Sequence, residues 1–402
     1  MSHLRILHVI SSMSPEAGGP PAVCAGMTGD LAARGHQLTI ATVDDQGGRL
    51  IPVRSGVQIQ LFPLQGSARF SKSPALDSWL RTNVSKFDIV HLHSIWQFPT
   101  FAAARACWRA RKPYVSVLHG MLDVYSLKNR SYRAKQLYWH WREKSVQSRS
   151  AGVQFLNAAE IRRAVSWVRP LHKFILPNGL LLSELNNLPS RGLFRGAHPE
   201  FQNRPIILFL SRLHPKKGLD RFIPAWPEVV RQVPDALLVI AGAGDDEYTR
   251  QIDSLIAQHN VQSSVIRVGQ LDSTHKWQAL VDADLFVLPS HQEGFSMAIT
   301  EALGAGCTPV VTEDCNYDEL AQSDSGIIIP GGDMRAFAQS IVDLLGDAPR
   351  SQRLAANGRK LVAENYTWEK IGENLEQIYR FILAGNRLPA DGSPIWRDPT
   401  PA

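Results

Sequence analysis

Short apolar segments alternate with helical segments along almost the whole chain, and this alternation is the strongest constraint on its fold. The apolar segments lie at about residues 5–10, 37–42, 89–93, 114–118, 206–210, 236–241, 265–268, 285–288 and 309–311. Strands rich in Val, Ile and Leu that are joined by helices are typical of parallel sheets covered by helices on both faces. The sequence therefore predicts an α/β protein with two Rossmann-like parallel sheets, whose ligands bind at the carboxyl ends of the strands.

The length of 402 residues predicts two domains of roughly 200 residues each. Proline and glycine interrupt regular structure between about residues 177 and 204, so we expect Rossmann-like domains at 1–190 and 191–366. Apolar residues at helical spacing predict an amphipathic terminal helix at 367–384. The Pro-rich, weakly apolar segment 385–402 is predicted to be a flexible tail.

Cysteine usage and hydropathy exclude several classes of protein. The four cysteines, Cys24, Cys107, Cys307 and Cys315, show no CxxC spacing, so they indicate neither a disulfide framework nor a zinc site. The apolar run near the start is too short for a signal peptide, and no run approaches the roughly 20 apolar residues of a membrane span. We expect a cytoplasmic protein. A peripheral protein at the inner face of the cell membrane is the alternative.

Charge is distributed unevenly along the chain. Residues 1–200 contain 25 Lys and Arg against 11 Asp and Glu, a surplus of 14 positive charges, whereas the remainder carries 18 against 26. Basic residues mixed with Tyr and Trp cluster at 128–149, which is typical of a surface that binds anionic membranes. The alternative is a solvated helix that packs its aromatic side chains into the domain. We expect no nucleic-acid partner.

The segment 290–303 contains two carboxylates eight positions apart, Glu293 in a loop and Glu301 inside a predicted helix at about 297–305. This segment follows an apolar strand and continues through Gly294, Phe295, Ser296 and Met297. The N-terminus of a helix binds anions through its free backbone N–H groups and its dipole, while carboxylates bind sugar hydroxyls. The segment therefore indicates a nucleotide-sugar pocket. A helix start that merely favours an acidic residue is the alternative for Glu293, but it does not explain Glu301.

Basic residues follow the predicted strand at 206–210. Arg212 and Lys217 lie on the loop after this strand, with Gly218 directly behind them, and we expect Lys216 to face solvent. Two cations at the carboxyl end of a strand indicate an anion site. An ordinary surface loop is the alternative.

Further glycine and histidine residues lie at predicted strand ends. Gly18 and Gly19 open the first helix, and Gly242 and Gly244 follow a strand in the second half, where backbone can approach phosphate closely. His119 ends the strand at 114–118. His91 and His93 share one face of a strand, but no third metal ligand accompanies them in the sequence, so we expect them to line a polar pocket.

Together these features resemble the retaining glycosyltransferases of family 4, of the group 1 type, which have the GT-B fold. The resemblance runs from about residue 5 to 384, and its motifs are Gly18-Gly19, His119-Gly120, Arg212 with Lys217-Gly218, and Glu293 with Glu301. It implies two Rossmann-like domains facing an interdomain cleft, with the acceptor on the N-terminal domain and the nucleotide-sugar donor on the C-terminal one. The terminal helix would cross back to the N-terminal domain.

The resemblance also implies roles for single residues. Arg212 and Lys217 would hold the pyrophosphate, Glu301 the ribose hydroxyls and Glu293 the hydroxyls of the donor sugar. Backbone N–H groups of Phe295, Ser296 and Met297 would meet phosphate or sugar, and Gly242 and Gly244 would line the base or phosphate. His119 would donate to a hydroxyl of the transferred sugar.

We therefore expect a retaining enzyme that transfers a hexose-type sugar from a UDP- or GDP-linked donor to an acceptor hydroxyl, with no cofactor beyond that co-substrate. The expected acceptor is a saccharide or lipid-linked saccharide of cell-surface polysaccharide or lipopolysaccharide biosynthesis. Asp282-Ala-Asp284 is expected to be a turn, and no catalytic metal is expected. The alternatives are another GT-B enzyme, such as a sugar-nucleotide epimerase, and a non-catalytic sugar- or nucleotide-binding protein.

Overall fold

A computed structural model describes residues 3–45, 47–66, 70–122, 127, 132–201 and 203–392 of the chain. Contacts between residues divide the chain into two units, one formed by residues 1–179 with 368–402 and the other by residues 180–367. The division after Gly179 falls within the segment where proline and glycine interrupt the sequence pattern, eleven residues before the boundary expected after residue 190.

The first unit is built on a seven-stranded parallel sheet. Its strands are β1 (Arg5–Val9), β2 (Gln37–Asp44), β3 (Val57–Pro63), β4 (Ile89–His93), β5 (Tyr114–Val117), β6 (Gly152–Phe155) and β7 (Lys173–Ile175). Their spatial order is β3-β2-β1-β4-β5-β6-β7. The strand order reverses between β1 and β4, and such a reversal is where open α/β sheets bind ligands.

Helices cover this sheet. They are α1 (Gly19–Ala33), α2 (Pro74–Asn83), α3 (Phe98–Ala110), α4 (Tyr132–Tyr138), a π-helical turn (Trp139–Glu143), α5 (Lys144–Ser148) and α6 (Ala158–Arg163). The sequence explains where two of these helices begin. The Ser73 side chain accepts from the Leu76 amide at the start of α2, and the Asn157 side chain accepts from the Glu160 amide at the start of α6. Each cap satisfies an amide that lacks a partner inside the helix.

The second unit contains a six-stranded parallel sheet. Its strands are β8 (Ile206–Leu210), β9 (Leu237–Ala241), β10 (Val265–Gly269), β11 (Leu285–Leu288), β12 (Thr308–Thr312) and β13 (Ile327–Ile329), in the order β10-β9-β8-β11-β12-β13. Its helices are α7 (Leu182–Asn186), α8 (Leu193–Ala197), α9 (Leu219–Phe222), α10 (Trp226–Gln232), α11 (Asp246–Gln258), α12 (Ser273–Asp282), α13 (Met297–Ala305), α14 (Glu319–Gln322), α15 (Met334–Gly346) and α16 (Ala348–Asn365). The order reverses between β8 and β11, so the loops after these two strands share one end of the sheet.

The last helix, α17 (Trp368–Leu383), belongs to the first unit by its contacts. Trp368 lies so close to Gly26 in α1 that a Cβ added there would be 2.1 Å from the indole ring. The hydroxyl of Tyr379 lies 2.7 Å from Nδ1 of His91 in β4. The helix is therefore part of the core of this unit.

The flexible tail predicted from residue 385 is wrong for its first part. The Lys173 amide in β7 donates to the Pro389 carbonyl at 2.9 Å, and Leu388 is buried. This pairing fixes the segment because β7 is the last strand of the sheet and leaves backbone groups free for a neighbour. Residues 393–402 lie outside the described residues.

Two further expectations from composition can be compared with the structure. All four cysteines are free and buried, as expected for small apolar side chains. In the described part of the chain, no helix combines the length and the apolar character that crossing a bilayer requires.

Candidate active site

A lysine and a glutamate meet where β8 and β11 end in the second unit. Lys217 Nζ lies 2.7 Å from Glu293 Oε1, and the Ser290 hydroxyl donates to the same carboxylate oxygen at 2.6 Å. The side chains of Lys217 and Glu293 are only 16% and 9% exposed. Lys217 and Glu293, which the sequence predicts as site residues, are 76 positions apart in the sequence, and the fold brings them into contact.

Gly218 is what allows these two loops to approach each other. Its φ is +72°, and a Cβ at this position would lie 1.9 Å from the Pro289 carbonyl oxygen. The His291 amide also donates to the Lys216 carbonyl at 2.8 Å, which joins the loops directly. Only glycine combines this left-handed backbone with so close a contact.

The other basic residues of the loop differ from each other. Arg212 is exposed and pairs with no carboxylate among the described residues. The prediction that Lys216 faces solvent is wrong, because its side chain is half-buried and Nζ donates to the Gln292 amide oxygen at 2.7 Å. The β11 loop therefore receives a contact from each of two adjacent lysines.

Helix α13 begins at Met297, as the sequence predicts. Ser296 is its N-cap residue, but the serine side chain makes no capping hydrogen bond, so the amides of the first turn are left for another acceptor. Phe295 packs against Tyr317 and Tyr366, with ring centroids 5.6 and 5.9 Å away. This packing fixes the backbone from Gly294 into the helix, and an uncapped helix start of this kind favours an anion.

Glu301 lies one turn into α13 and has a partner that the sequence did not reveal. Lys276 Nζ in α12 lies 2.6 Å from Glu301 Oε1, and both side chains are mostly buried. Burial raises the pKa of Glu301, while the charge of Lys276 acts in the opposite direction. Lys276 precedes Glu301 by 25 residues, and only the alignment of α12 beside α13 brings them together.

The glycines after β9 have a structural reason in this fold. A Cβ on Gly242 would lie 1.9 Å from the Ser211 carbonyl oxygen, and one on Gly244 would lie 2.2 Å from the Leu213 carbonyl oxygen. The Leu213 amide donates to Ala243 at 2.9 Å. Both glycines thus hold the β9 loop against the loop that carries Arg212.

The remaining predicted site residues lie in the first unit. Gly18 and Gly19 join β1 to α1, and a Cβ at either would meet no atom within 4 Å, so this backbone is accessible. His119 follows β5 with a φ of +50°, and desolvation of its half-buried ring lowers its pKa to about 4. The imidazole is therefore neutral at pH 7 and able to exchange hydrogen bonds with a hydroxyl.

We expected His91 and His93 to line a polar pocket, and the structure buries both side chains completely in the core. The structure adds a third imidazole, because β1 pairs with β4 so that His8 lies opposite His91. One ligand atom from each of the three comes within 4.8 Å of the others, which is the spacing of a possible metal site.

The chemistry of this histidine trio nevertheless favours a hydrogen-bonded core. His8 Nδ1 lies 2.9 Å from His93 Nε2, and Tyr379 occupies one nitrogen of His91. The trio contains no carboxylate or thiolate to offset the charge of a buried divalent ion. Burial lowers the pKa of all three histidines, and we assign them no metal.

Asp282 and Asp284 act at the opposite end of the second sheet. Asp282 accepts from the Arg195 amide at 2.9 Å, and Asp284 pairs with Arg191 and Arg195 at 2.8 and 2.7 Å. A cavity of about 580 Å³ lies here, but its two arginines near β11 are already engaged by Asp284. The motif thus fastens α8 to the start of β11.

The membrane-binding surface predicted at 128–149 is partly buried and partly exposed. Residues 128–131 lie outside the described part of the chain. Trp139 is buried against Trp96, whereas Leu137 and Trp141 are 73% and 67% exposed. The guanidinium of Arg142 lies 4.1 Å from the ring of Trp141. One face of this helical segment packs into the unit, and the other presents apolar and basic groups to the outside.

Two family matches cover most of the chain. Residues 17–180 match the family described as "Glycosyltransferase Family 4", and residues 190–361 match "Glycosyl transferases group 1". The chain therefore belongs to the group 1 glycosyltransferases of family 4, which have the GT-B fold.

Individual relatives and solved structures agree with this assignment. The chain is 27% identical over 362 residues to a phosphatidyl-myo-inositol mannosyltransferase from Mycobacterium leprae, covering 88% of this chain and 87% of the relative. It is 30% identical over 181 residues to a GDP-mannose-dependent monoacylated alpha-(1-6)-phosphatidylinositol monomannoside mannosyltransferase from Corynebacterium glutamicum, covering 43% and 46% of the two chains.

Two solved structures share the fold at lower identity. Anabaena Alr3699/HepE in complex with UDP superposes with a TM-score of 0.73 at 16% identity, covering 94% of this chain and all of that one. Sucrose-phosphate synthase from Thermosynechococcus elongatus gives a TM-score of 0.73 at 20% identity, covering 96% and 100%. At these identities the similarity shows the fold alone.

Proposed function

We propose that this glycosyltransferase transfers a hexose-type sugar from a nucleotide diphosphate sugar to an acceptor hydroxyl, with retention of anomeric configuration and without a catalytic metal. The donor nucleotide binds the second unit at the carboxyl ends of β8, β9 and β11. Relatives named for GDP-mannose and a structural neighbour crystallised with UDP both support a donor of this class.

The observation that carries this proposal is the Lys217–Glu293 pair beside the uncapped start of α13. The pair consists of a cation and a carboxylate at the point where the strand order reverses. Free amides of a helix start lie in the same β11 loop, and Arg212 is exposed on the neighbouring loop. Positive groups and N–H donors at one strand end suit a diphosphate, and the carboxylate suits hydroxyls.

In the proposed reaction, the bond from the anomeric carbon to the diphosphate oxygen breaks, and the acceptor oxygen bonds to the same face of that carbon. The acceptor proton passes to a diphosphate oxygen, so no protein base is required. The leaving diphosphate gains negative charge, which Arg212, Lys217 and the first-turn amides stabilise. Neutral His119 donates to a hydroxyl of the transferred sugar, and Glu301 accepts from the ribose.

For the acceptor, we propose a lipid-linked saccharide of cell-surface polysaccharide or lipopolysaccharide biosynthesis, met at the inner face of the cell membrane. The names of the mannosyltransferase relatives, which act on phosphatidylinositol-type acceptors, support this choice. The exposed pair Leu137 and Trp141, beside Arg142, gives the chain a surface with the chemistry of an anionic interface.

The test begins with a thermal-shift screen of the protein against UDP, GDP, ADP and their hexose conjugates in the presence of EDTA. A nucleotide at 100 times its Kd stabilises a protein by about 2.7 kcal/mol, which a melting curve resolves. The expected result is a shift with one nucleotide that is lost in Arg212→Ala. Release of free nucleotide on adding an acceptor, with the product anomer read by NMR, then tests transfer and retention. If none of the nucleotides raises the melting temperature, the proposal is overturned.

A sugar-nucleotide epimerase is the second candidate, since that class of enzyme uses the same fold. It would convert the nucleotide sugar to an epimer without an acceptor, whereas a transferase leaves the donor stereochemistry unchanged. A non-catalytic binding protein would give the thermal shift alone.

A further inference from the structure

Glu160 joins the ends of two neighbouring strands in the first unit. Its Oε1 accepts from the Gly120 amide at 2.9 Å, and its Oε2 accepts from the Leu156 amide at 2.6 Å. Gly120 lies just beyond β5, and Leu156 lies just beyond the adjacent parallel strand β6. One buried carboxylate thus fixes a peptide group near the start of each loop, the third residue after β5 and the first after β6.

The Gly120 amide is also the peptide group that sets the direction of His119. His119 has a φ of +50° and Gly120 a φ of +72°, so two consecutive residues adopt the left-handed conformation. A side chain with a Cβ is disfavoured there and keeps this conformation only when its surroundings hold it. The hydrogen bond to Glu160 supplies that restraint at the peptide linking the two residues.

Glu160 is itself held rigidly. Its amide donates to the Asn157 side chain at 2.7 Å in the cap of α6. At the far end of α6, the Val165 amide donates to the Leu122 carbonyl at 3.1 Å, which joins the helix to the same loop a second time. The loop that carries His119 is therefore fastened to α6 at two points.

One nitrogen of the His119 ring has no hydrogen-bond partner among the described residues. The ring stacks on His93 with centroids 5.7 Å apart, and the nitrogen in question is the buried Nε2. A hydroxyl of a bound ligand is one of the partners that can complete such a nitrogen.

We propose that Glu160 is a positioning residue for His119: it holds the His119–Gly120 peptide so that the imidazole faces the transferred sugar. This inference rests on the proposed function. Both oxygens of a carboxylate accept, whereas glutamine offers one acceptor and one NH₂ group. Glu160→Gln therefore turns a donor toward one of the two amides and releases the restraint.

The experiment is a double-mutant cycle with Glu160→Gln and His119→Ala, using the donor found by the nucleotide screen. We expect Glu160→Gln alone to lower kcat at least tenfold with less than a threefold change in donor KM. In the His119→Ala background it should lower kcat by less than twofold, because its effect passes through His119. Glu160→Asp, which retains both acceptors, should recover part of kcat. If the double variant loses kcat by the product of the two single losses, the proposal is overturned. Equal losses of kcat in Glu160→Gln and Glu160→Asp would also overturn it.

A second measurement does not depend on turnover. The imidazole ¹H–¹⁵N NMR signals of His119, assigned by their loss in His119→Ala, should shift in Glu160→Gln while those of exposed His275 remain. If Glu160→Gln does not fold, both measurements are made with Asn157→Ala, which removes the cap contact that holds Glu160 in place. If wild-type protein transfers no sugar, the proposed function fails, and unchanged His119 signals would separately refute the role of Glu160.

Discussion

Lys217 Nζ and Glu293 Oε1 form an ion pair of 2.7 Å at the ends of β8 and β11, and the Ser290 hydroxyl makes a second contact to the same oxygen. The group assigned to phosphate is therefore bound to the group assigned to sugar. A diphosphate has to share or displace the carboxylate as the partner of Lys217. Because of this coupling, we expect substitution of Glu293 and substitution of Lys217 to change the affinity for nucleotide in different directions.

We predict that Glu293→Gln binds the free nucleoside diphosphate at least as tightly as wild type, because Lys217 loses its internal partner, yet transfers sugar at least a hundredfold more slowly. Lys217→Ala should weaken nucleotide binding and lower transfer by at least a hundredfold as well. Calorimetric binding and steady-state kinetics measure both. Lys360→Ala, which removes an exposed lysine of the same unit, is the control and should stay within threefold of wild type. Equal loss of nucleotide affinity in Glu293→Gln and Lys217→Ala would contradict the coupling.

Lys276 should matter for the donor because it holds Glu301 in place across 2.6 Å. Lys276→Met removes the positive charge that opposes the raised pKa of Glu301. The pKa of Glu301 should rise further, so donor KM should increase at least tenfold at pH 7 and increase more steeply as the pH falls. Lys360→Ala, on the surface of the same unit, is the control. A KM that is unchanged and independent of pH would argue against a ribose role for Glu301.

Gly218 offers a test of the loop geometry with a matched control. Gly218→Ala combines a positive φ with backbone contact, and we expect a loss of about 3 kcal/mol or more together with loss of nucleotide binding. Gly332 also has a positive φ, +94°, but a Cβ there would meet no atom within 4 Å. Gly332→Ala should therefore cost only about 1 kcal/mol and leave binding intact. Chemical denaturation and calorimetry measure the two quantities, and equal effects would be inconsistent with the close contact to Pro289.

The buried histidines should make the first unit sensitive to acid. Burial lowers the pKa of His8 from 6.5 to about 3, so between these values the unfolded chain binds a proton that the folded one does not. The contribution of neutral His8 to the free energy of unfolding is fully present above about pH 6.5. It falls on acidification by up to about 1.4 kcal/mol per pH unit. His8→Gln should flatten the fall of Tm between pH 7 and pH 5, whereas His275→Gln should not. Parallel curves for wild type and His8→Gln would refute the assignment.

Membrane association can be tested on the exposed residues Leu137 and Trp141. We expect the protein to sediment with anionic liposomes at low salt and to be released as salt rises. The variant Leu137→Ser/Trp141→Ser should lose this binding, whereas Leu193→Ser, an exposed leucine of the second unit, should retain it. Binding that is absent at every salt concentration would point to a soluble acceptor.

The fold class was accessible from sequence because most of its strands are buried on both faces and read as apolar runs. Strands β3, β6, β7 and β13 were not predicted, and β3 shows why, since none of its seven residues is fully buried. The β11 loop and the start of α13 at Met297 were equally accessible, since a strand, a glycine and a helix pattern follow one another within a short segment. What the sequence did not reveal are contacts made by register between distant elements. His8 and His91 are 83 residues apart, and nothing local to either indicates that β1 and β4 align them.

The same limit applies to charged partners in the interior. Glu160 and Lys276 look like ordinary solvated residues of amphipathic helices, and only packing places one against Gly120 and the other against Glu301. The tail beyond Gly385 was misjudged for a related reason: its weak apolar character is sufficient because a sheet edge supplies backbone hydrogen bonds. Side-chain composition carries no information about such pairing.

Helix α17 closes the first unit with residues that leave the ribosome after the whole of the second unit. By the time Trp368 and Tyr379 emerge, the whole of the second unit has been synthesised and has all its own strands. The first unit, although it begins the chain, lacks until then the helix that packs against Gly26 and places the Tyr379 hydroxyl on His91 Nδ1. The order in which the two units mature is thus the reverse of the order in which they begin, and a chain that stops near residue 367 would carry a finished second unit on an unfinished first one.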